Sequence, residues 1–217
     1  MKYEHLLKGL KVRKMIKLSI SNLAWDENWD NRMYFYINKL GFQGIEIAPS
    51  RIFGIDPYRH LTEAANWALS LKEKFDLSVS SMQSIWYGQS GNIFESVEER
   101  EVLFQYSLRA IEFATAISCK NLVFGCPKNR NMKKVCYNYE KTGFEFFKKL
   151  GYIANQFGTK IAIEPNPAIY NTNYLNTTDS VKVLLEKTGQ VGLGLNFDFG
   201  AFLYNNEKMD KIQDYIP

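Results

Sequence analysis

KIAIEPNPAIYNTNYLNTTDSVKVLLEKTGQVGLGLNFDFG, residues 160–200, contains one complete strand–helix unit and the strand of the next. Lys160–Glu164 is a short apolar run that closes on a carboxylate and is followed by Pro165-Asn166-Pro167. Thr178 is placed as an N-cap before Val181, Leu184 and Leu185, whose spacing predicts a helix. Val191–Phe197 is a second short apolar run, and it too leads into a carboxylate, Asp198. Gly192 and Gly194 fall inside that strand, so they do not form a dinucleotide-binding loop.

Working outward, the same alternation recurs. Ile16–Ser21, Gly44–Ala48, Leu77–Met82 and Asn121–Gly125 are further strand-like runs. The six centres lie about 27 to 43 residues apart, the repeat of successive βα units. Between them, Met33, Tyr36, Ile37 and Leu40 keep helical spacing, and Gly41 follows as a left-handed stop. Ser96-Val97-Glu98-Glu99 fits a capping box before a face of Leu103, Tyr106, Ala110, Phe113, Ala114 and Ile117. Phe147, Leu150, Ala154 and Phe157 form another stripe, closed by Gly158. Such a chain predicts a parallel sheet with helices outside it, either open and doubly wound or closed into a barrel. An open sheet usually carries a glycine-rich phosphate loop after its first strand, whereas Ser21-Asn22-Leu23-Ala24-Trp25-Asp26 has none. The expectation is an α/β fold of (β/α)8 TIM-barrel type, with six βα units in this chain.

The 217 residues suffice for one domain, and 46% hydrophobic with 23% charged residues is an ordinary globular balance. A net charge of +4 is too small to argue for nucleic acid, which calls for a concentrated basic face. Lys2, Lys8, Lys11, Arg13 and Lys14 supply that excess, so 1–14 reads as a basic N-terminal appendage, with Met15 as an alternative start. Residues 15–217 read as a single barrel domain lacking units seven and eight. No run approaches a signal peptide or the roughly 20 apolar residues of a membrane span, so a cytoplasmic location is the expectation. Cys119, Cys126 and Cys136 form no CxxC and are expected to be free thiols.

In a parallel barrel the chemistry sits at the carboxyl ends of the strands. Glu46 ends strand two, Gln83 follows strand three, and Lys128, Asn129 and Arg130 follow strand four. Glu164 with Asn166 ends strand five, and Asp198 follows strand six. Glu164 and Asp198 each close an apolar run, where an unpartnered carboxylate is costly. Two carboxylates on neighbouring strands can share a hard divalent cation. They can equally cap a nearby backbone or pair with Lys128 or Arg130, and position alone does not choose. Lys128, Asn129, Arg130, Lys133 and Lys134 suit a substrate phosphate or a merely solvated loop. Trp25, Trp86, Tyr87 and Phe199 suit sugar stacking or core packing, and Tyr170 suits a hydroxyl contact or a turn. His60 reads as a surface residue at a helix start.

The run IAIEPNPAIYNTNYLNTTDSVKVLLEK with VGLGLNFDFGAF resembles strands five and six of the xylose-isomerase-like sugar phosphate isomerases and epimerases. LVFGCPKNR resembles the strand-four end of a branch with a GSPKNR-like loop, with Cys126 in place of serine; GFQGIEIAPSRIFG is similar around Glu46. The resemblance covers about Met15 to Pro217. It implies Glu164 as acid/base and metal ligand, Asp198 as a second ligand, and a divalent ion (Mn, Mg, Co or Zn) as cofactor. It implies Glu46 and the loop of Lys128, Asn129 and Arg130 as substrate-binding residues; Gln83 and Asn166 join them as candidate hydrogen-bonders to substrate hydroxyls, with a structural turn role equally open. Relatives complete the metal site with a histidine from strand seven and a glutamate from strand eight; His5 and His60 cannot take that histidine's place, and Ala201 stands where some branches carry another.

The implied function is metal-dependent isomerisation or epimerisation of a sugar or sugar phosphate through an enediolate. The alternative is a truncated or non-catalytic barrel that binds a sugar phosphate or a partner, with exposed strand edges predicting self-association. An apurinic-endonuclease-like DNA phosphodiesterase ranks lower, because its zinc cluster needs several histidines.

Overall fold

The computed structural model describes residues 16–132, 138–208, 210 and 215. The basic segment 1–14, Met15, Lys133, Lys134 and Cys136 lie outside the described residues. Six strands form one parallel sheet in strict sequence order: β1 (Ser19–Ser21), β2 (Gly44–Ile47), β3 (Ser78–Met82), β4 (Leu122–Phe124), β5 (Ile161–Ile163) and β6 (Leu193–Leu195). A doubly wound sheet reverses its strand order partway across, and this one never does. The architecture is therefore that of a partial TIM-type barrel.

Helices join the strands: α1 (Asp30–Lys39), the short α2 (Pro49–Phe53), α3 (Leu61–Phe75), α4 (Val97–Ala116), α5 (Tyr139–Gln156), α6 (Thr178–Thr188) and α7 (Phe199–Tyr204). None is long and apolar enough to cross a membrane. The strand residues divide by alternation. Ile45, Ile47, Leu122, Phe124, Ile161 and Ile163 join the main hydrophobic cluster, which includes Phe113 and Leu150 of the helices. Glu46, Val123 and Ala162, one position out of phase, do not. Trp86 and Phe147 meet Phe124 edge-on at centroid distances of 4.6 and 4.9 Å. Each such fully buried side chain contributes about 1.5–3 kcal/mol.

Three local expectations shift. In α1, Tyr34 and Ile37 are buried while Tyr36 and Leu40 face solvent, so the apolar face is rotated from the Met33–Leu40 stripe. Thr177, not Thr178, caps α6, in a reciprocal box with Ser180. At α4, Ser96 Oγ accepts from the Glu99 amide, but the Glu99 carboxylate accepts from the amide of Asn92 in the preceding loop. The predicted α4 face is buried throughout, whereas Phe157 of the α5 stripe remains partly exposed. Cys119 and Cys126 are free thiols.

Candidate active site

The strand ends enclose a cavity of about 300 Å3. Glu46, Gln83, Glu164, Asn166 and Asp198 all line it, with Val123, Gly125, Cys126, Tyr170 and Asn196. These come from β2, β3, β4, β5 and β6, so sequential parallel pairing is what gathers them.

Glu164 lies one residue beyond β5, where its amide still donates to Phe124 O at 3.0 Å. Oε1 accepts from Asn196 Nδ2 at 2.8 Å and Oε2 from Asn166 Nδ2 at 3.2 Å. Burial pushes the Glu164 carboxyl above the ordinary range, and the charge of Asp198 adds to that; the two amide donors and Arg130 oppose it. Gly125 closes the near wall: a Cβ there would sit 2.9 Å from Glu164 Oε2.

Asp198 uses Oδ1 to cap α7, accepting from the amides of Gly200 at 2.7 Å and Ala201 at 3.2 Å. It thus does cap a backbone, and Asp198 also lines the cavity. Glu46 Oε2 accepts from Ser81 Oγ at 2.7 Å, and Gln83 Nε2 donates to Ser21 Oγ. These bonds hold both side chains on the β1–β3 side.

Residues 128–130 are not brought to the cavity wall. Pro127 starts a 3-10 turn (Pro127–Arg130), in which Lys128 is exposed while Asn129 and Arg130 are buried. Asn129 Nδ2 donates to the carbonyls of Gln89 and Gly91, tying the turn to the β3–α4 loop. Arg130 Nη2 donates to Glu164 O at 2.7 Å and Asn166 Oδ1 at 2.6 Å. The guanidinium lies behind the site rather than in a solvated loop, because the turn folds inward over the β5 end.

Trp86 is a core residue, donating from Nε1 to Ser107 Oγ at 2.8 Å. Trp25 is locked to Asp30, which also holds Arg51, and neither Tyr87 nor Phe199 lines the cavity. His60 bonds Glu63 at the start of α3. Tyr170 stands at the cavity with 54% of its surface exposed. Asn196 and Gly125 were overlooked in the sequence. Asn196 lies two residues before Asp198 as Glu164 lies two before Asn166, and that spacing could have found it.

Of the three carboxylates bordering the cavity, Glu46, Glu164 and Asp198, the last two, one raising the proton affinity of the other, form a donor set of the kind a hard divalent cation takes. Among the described residues, no group of three or more His, Cys, Asp or Glu side chains gathers as a metal cluster.

No protein-family model and no curated protein sequence matches the chain. Solved structures do. The chain is similar to a 3-keto-D-glucoside 4-epimerase from E. coli, with TM-score 0.71 and 17% identity, over 93% of this chain and 75% of that one. It is similar to a D-psicose 3-epimerase, with TM-score 0.73 and 16% identity, over 93% of this chain and 70% of that one. An AP endonuclease of family 2 from Brucella melitensis gives TM-score 0.62 and 15% identity, over 92% and 75%. At these identities the likeness shows the fold alone, a TIM-type barrel. Epimerase and endonuclease share it, so function must be argued from the site.

Proposed function

We propose that residues 15–217 form one barrel domain that isomerises or epimerises a small sugar, phosphorylated or not, by proton transfer at the carbon beside a carbonyl. One observation carries this reading: Glu164 is a half-buried carboxylate on a cavity wall, held at both oxygens, with its proton affinity raised. A base so placed is oriented and better able to keep an abstracted proton. Glu164 takes the proton, leaving an enediolate. In an isomerisation Glu164 returns the proton to the neighbouring carbon; in an epimerisation a second acid or a water on the opposite face protonates the same carbon while Glu164 keeps the abstracted proton. Glu46 and Gln83 supply polar contacts for substrate hydroxyls and Tyr170 offers an apolar face, while Asn166, its side-chain amide taken up by Arg130, Glu164 and Pro165, holds the base rather than the substrate. Glu164 and Asp198 would hold a divalent ion (Mn, Mg, Co or Zn), which when bound polarises the substrate carbonyl and hydroxyl. The epimerases of this fold support the reading.

The test is solvent exchange. The chain is incubated in D2O with each metal and a panel of ketoses, aldoses and their phosphates, and deuterium on carbon is read by mass spectrometry. Incorporation that Glu164→Gln abolishes is the expected result; incorporation retained in that variant would sink the assignment. Because no three-residue metal cluster forms among the described residues, a second reading is a barrel that binds a sugar without turning it over. Saturable binding of a panel sugar with no deuterium incorporation would select it.

A further inference from the structure

Resting on the assignment of Glu164 as the base, we propose that Arg130 is a positioning residue that aims the Glu164 carboxylate through the side-chain amide of Asn166. Arg130 is wholly buried and carries only donors. Its Nη2 meets Asn166 Oδ1 at 2.6 Å, so the amide oxygen must face the guanidinium. The Asn166 Nδ2 group is thereby turned the other way, onto Glu164 Oε2 at 3.2 Å and Pro165 O at 3.2 Å. The same Nη2 holds the Glu164 carbonyl at 2.7 Å, fixing the backbone from which the carboxylate hangs. Asn166 cannot swing away, since its amide donates to Leu175 O at 3.2 Å and its carbonyl accepts from Asn176 Nδ2 at 2.8 Å. With Asn196 on Oε1, the carboxylate is clamped from two sides, and only the Asn166 side is set by a charged group.

A purely structural role explains Arg130 poorly. Its Nε and Nη1 are buried with no hydrogen-bond partner among the described residues, and burying a guanidinium with idle donors is costly. Of the groups that act on it electrostatically, Glu164 is the carboxylate; Cys126 and Tyr174 are the others. The guanidinium therefore faces the proposed base from behind, out of reach of the cavity wall.

The test compares Arg130→Lys, Asn166→Ala and their double variant. Lysine keeps the charge, but its Nζ ends one bond short of the Nη2 position that holds both acceptors. Each single change is expected to lower kcat about 10- to 100-fold with KM within about twofold, as small misplacements of a reacting group do. In the Asn166→Ala background, Arg130→Lys should cost clearly less than it does in wild type, because the amide path is already cut and what remains is the bond to the Glu164 carbonyl. Multiplying losses, or losses that follow the melting temperature, would overturn the proposal. A second readout needs no turnover: hydrogen exchange of the Asn166 side-chain amide in 15N-asparagine-labelled protein, assigned by its loss in Asn166→Ala. Slow exchange that becomes fast in Arg130→Lys is the expected result, and unchanged exchange overturns the positioning claim. If Glu164→Gln retains turnover while this amide behaves as expected, the assignment of Glu164 as the base has failed and the positioning of its carboxylate has not.

Discussion

Glu164 sits where burial and a neighbouring carboxylate push its proton affinity up while two amides and a guanidinium pull it down, with burial the largest. The sign of the linkage follows. A carboxyl whose folded pKa lies above its ordinary 4.5 contributes stability that is full below that value and lost as pH rises through the folded pKa. In the metal-free protein, the stability of wild type relative to Glu164→Gln should fall as pH rises from about 4 to about 7. Urea melts across that range measure it, and a flat difference would show that burial does not dominate. The carboxylate is also hemmed in by Gly125, whose added Cβ would press on Oε2 at 2.9 Å. Gly125→Ala should leave the fold intact by circular dichroism yet cut turnover about 10-fold or more, since the pinned carboxylate must move. Glu164 and Asp198 were legible as cavity residues because a carboxylate closing an apolar run is conspicuous, and Asn166 because it follows Glu164 at the same strand end. Arg130 was not: its burial depends on a return of the chain 34 residues later, to Glu164 O. Local pattern therefore made it look like a solvated loop.

At the scale of elements, the helix–strand alternation was legible because six apolar runs recur at βα spacing, and all six became strands. What local pattern misplaced was phase. The α1 stripe turned because Tyr34 packs edge-on with Trp25 and Phe75, contacts made only once the helix lies on its neighbours. The α4 capping box was half realised, because Asn92 drew the Glu99 carboxylate into the loop. Ser96 nonetheless holds the Glu99 amide at 3.0 Å, so Ser96→Ala should cost about 1 kcal/mol in urea unfolding. A larger effect is expected where α5 crosses the entry to β6. Gly192 has φ +62°, and a Cβ there would lie 1.9 Å from Gly151 O. Gly192→Ala should destabilise by about 2–4 kcal/mol, from left-handed strain and overpacking together. A loss under about 1 kcal/mol would mean that α5 and β6 can separate at small cost.

For the whole molecule, sequential parallel order was readable from the missing phosphate loop and from the carboxylate-ended strands, and exposed edges were expected, but which residues lie beside them is a property only the assembled sheet displays. Among the described residues, β1 and β6 each pair with one neighbour in the six-stranded sheet. Beside β1, Ile16 and Leu18 are exposed; beyond β6, Phe199, Leu203 and Tyr204 are at least half exposed or nearly so. Backbone groups on such edges accept further strands, and apolar side chains beside them add area to any contact. Lys17 is the charged residue between the two exposed apolar ones next to β1, a weak guard for that edge. The chain should therefore self-associate as its concentration rises from about 1 µM toward 1 mM, the range in which unpaired edges meet. Sedimentation velocity across that range is the measurement. Leu18→Lys places a second charge at the β1 edge and should shift the equilibrium toward monomer, whereas a matched change on α3, Leu69→Lys, should not. A single monomeric species at every concentration, with the sheet intact by circular dichroism, would mean that the edges are guarded by twist and charge alone.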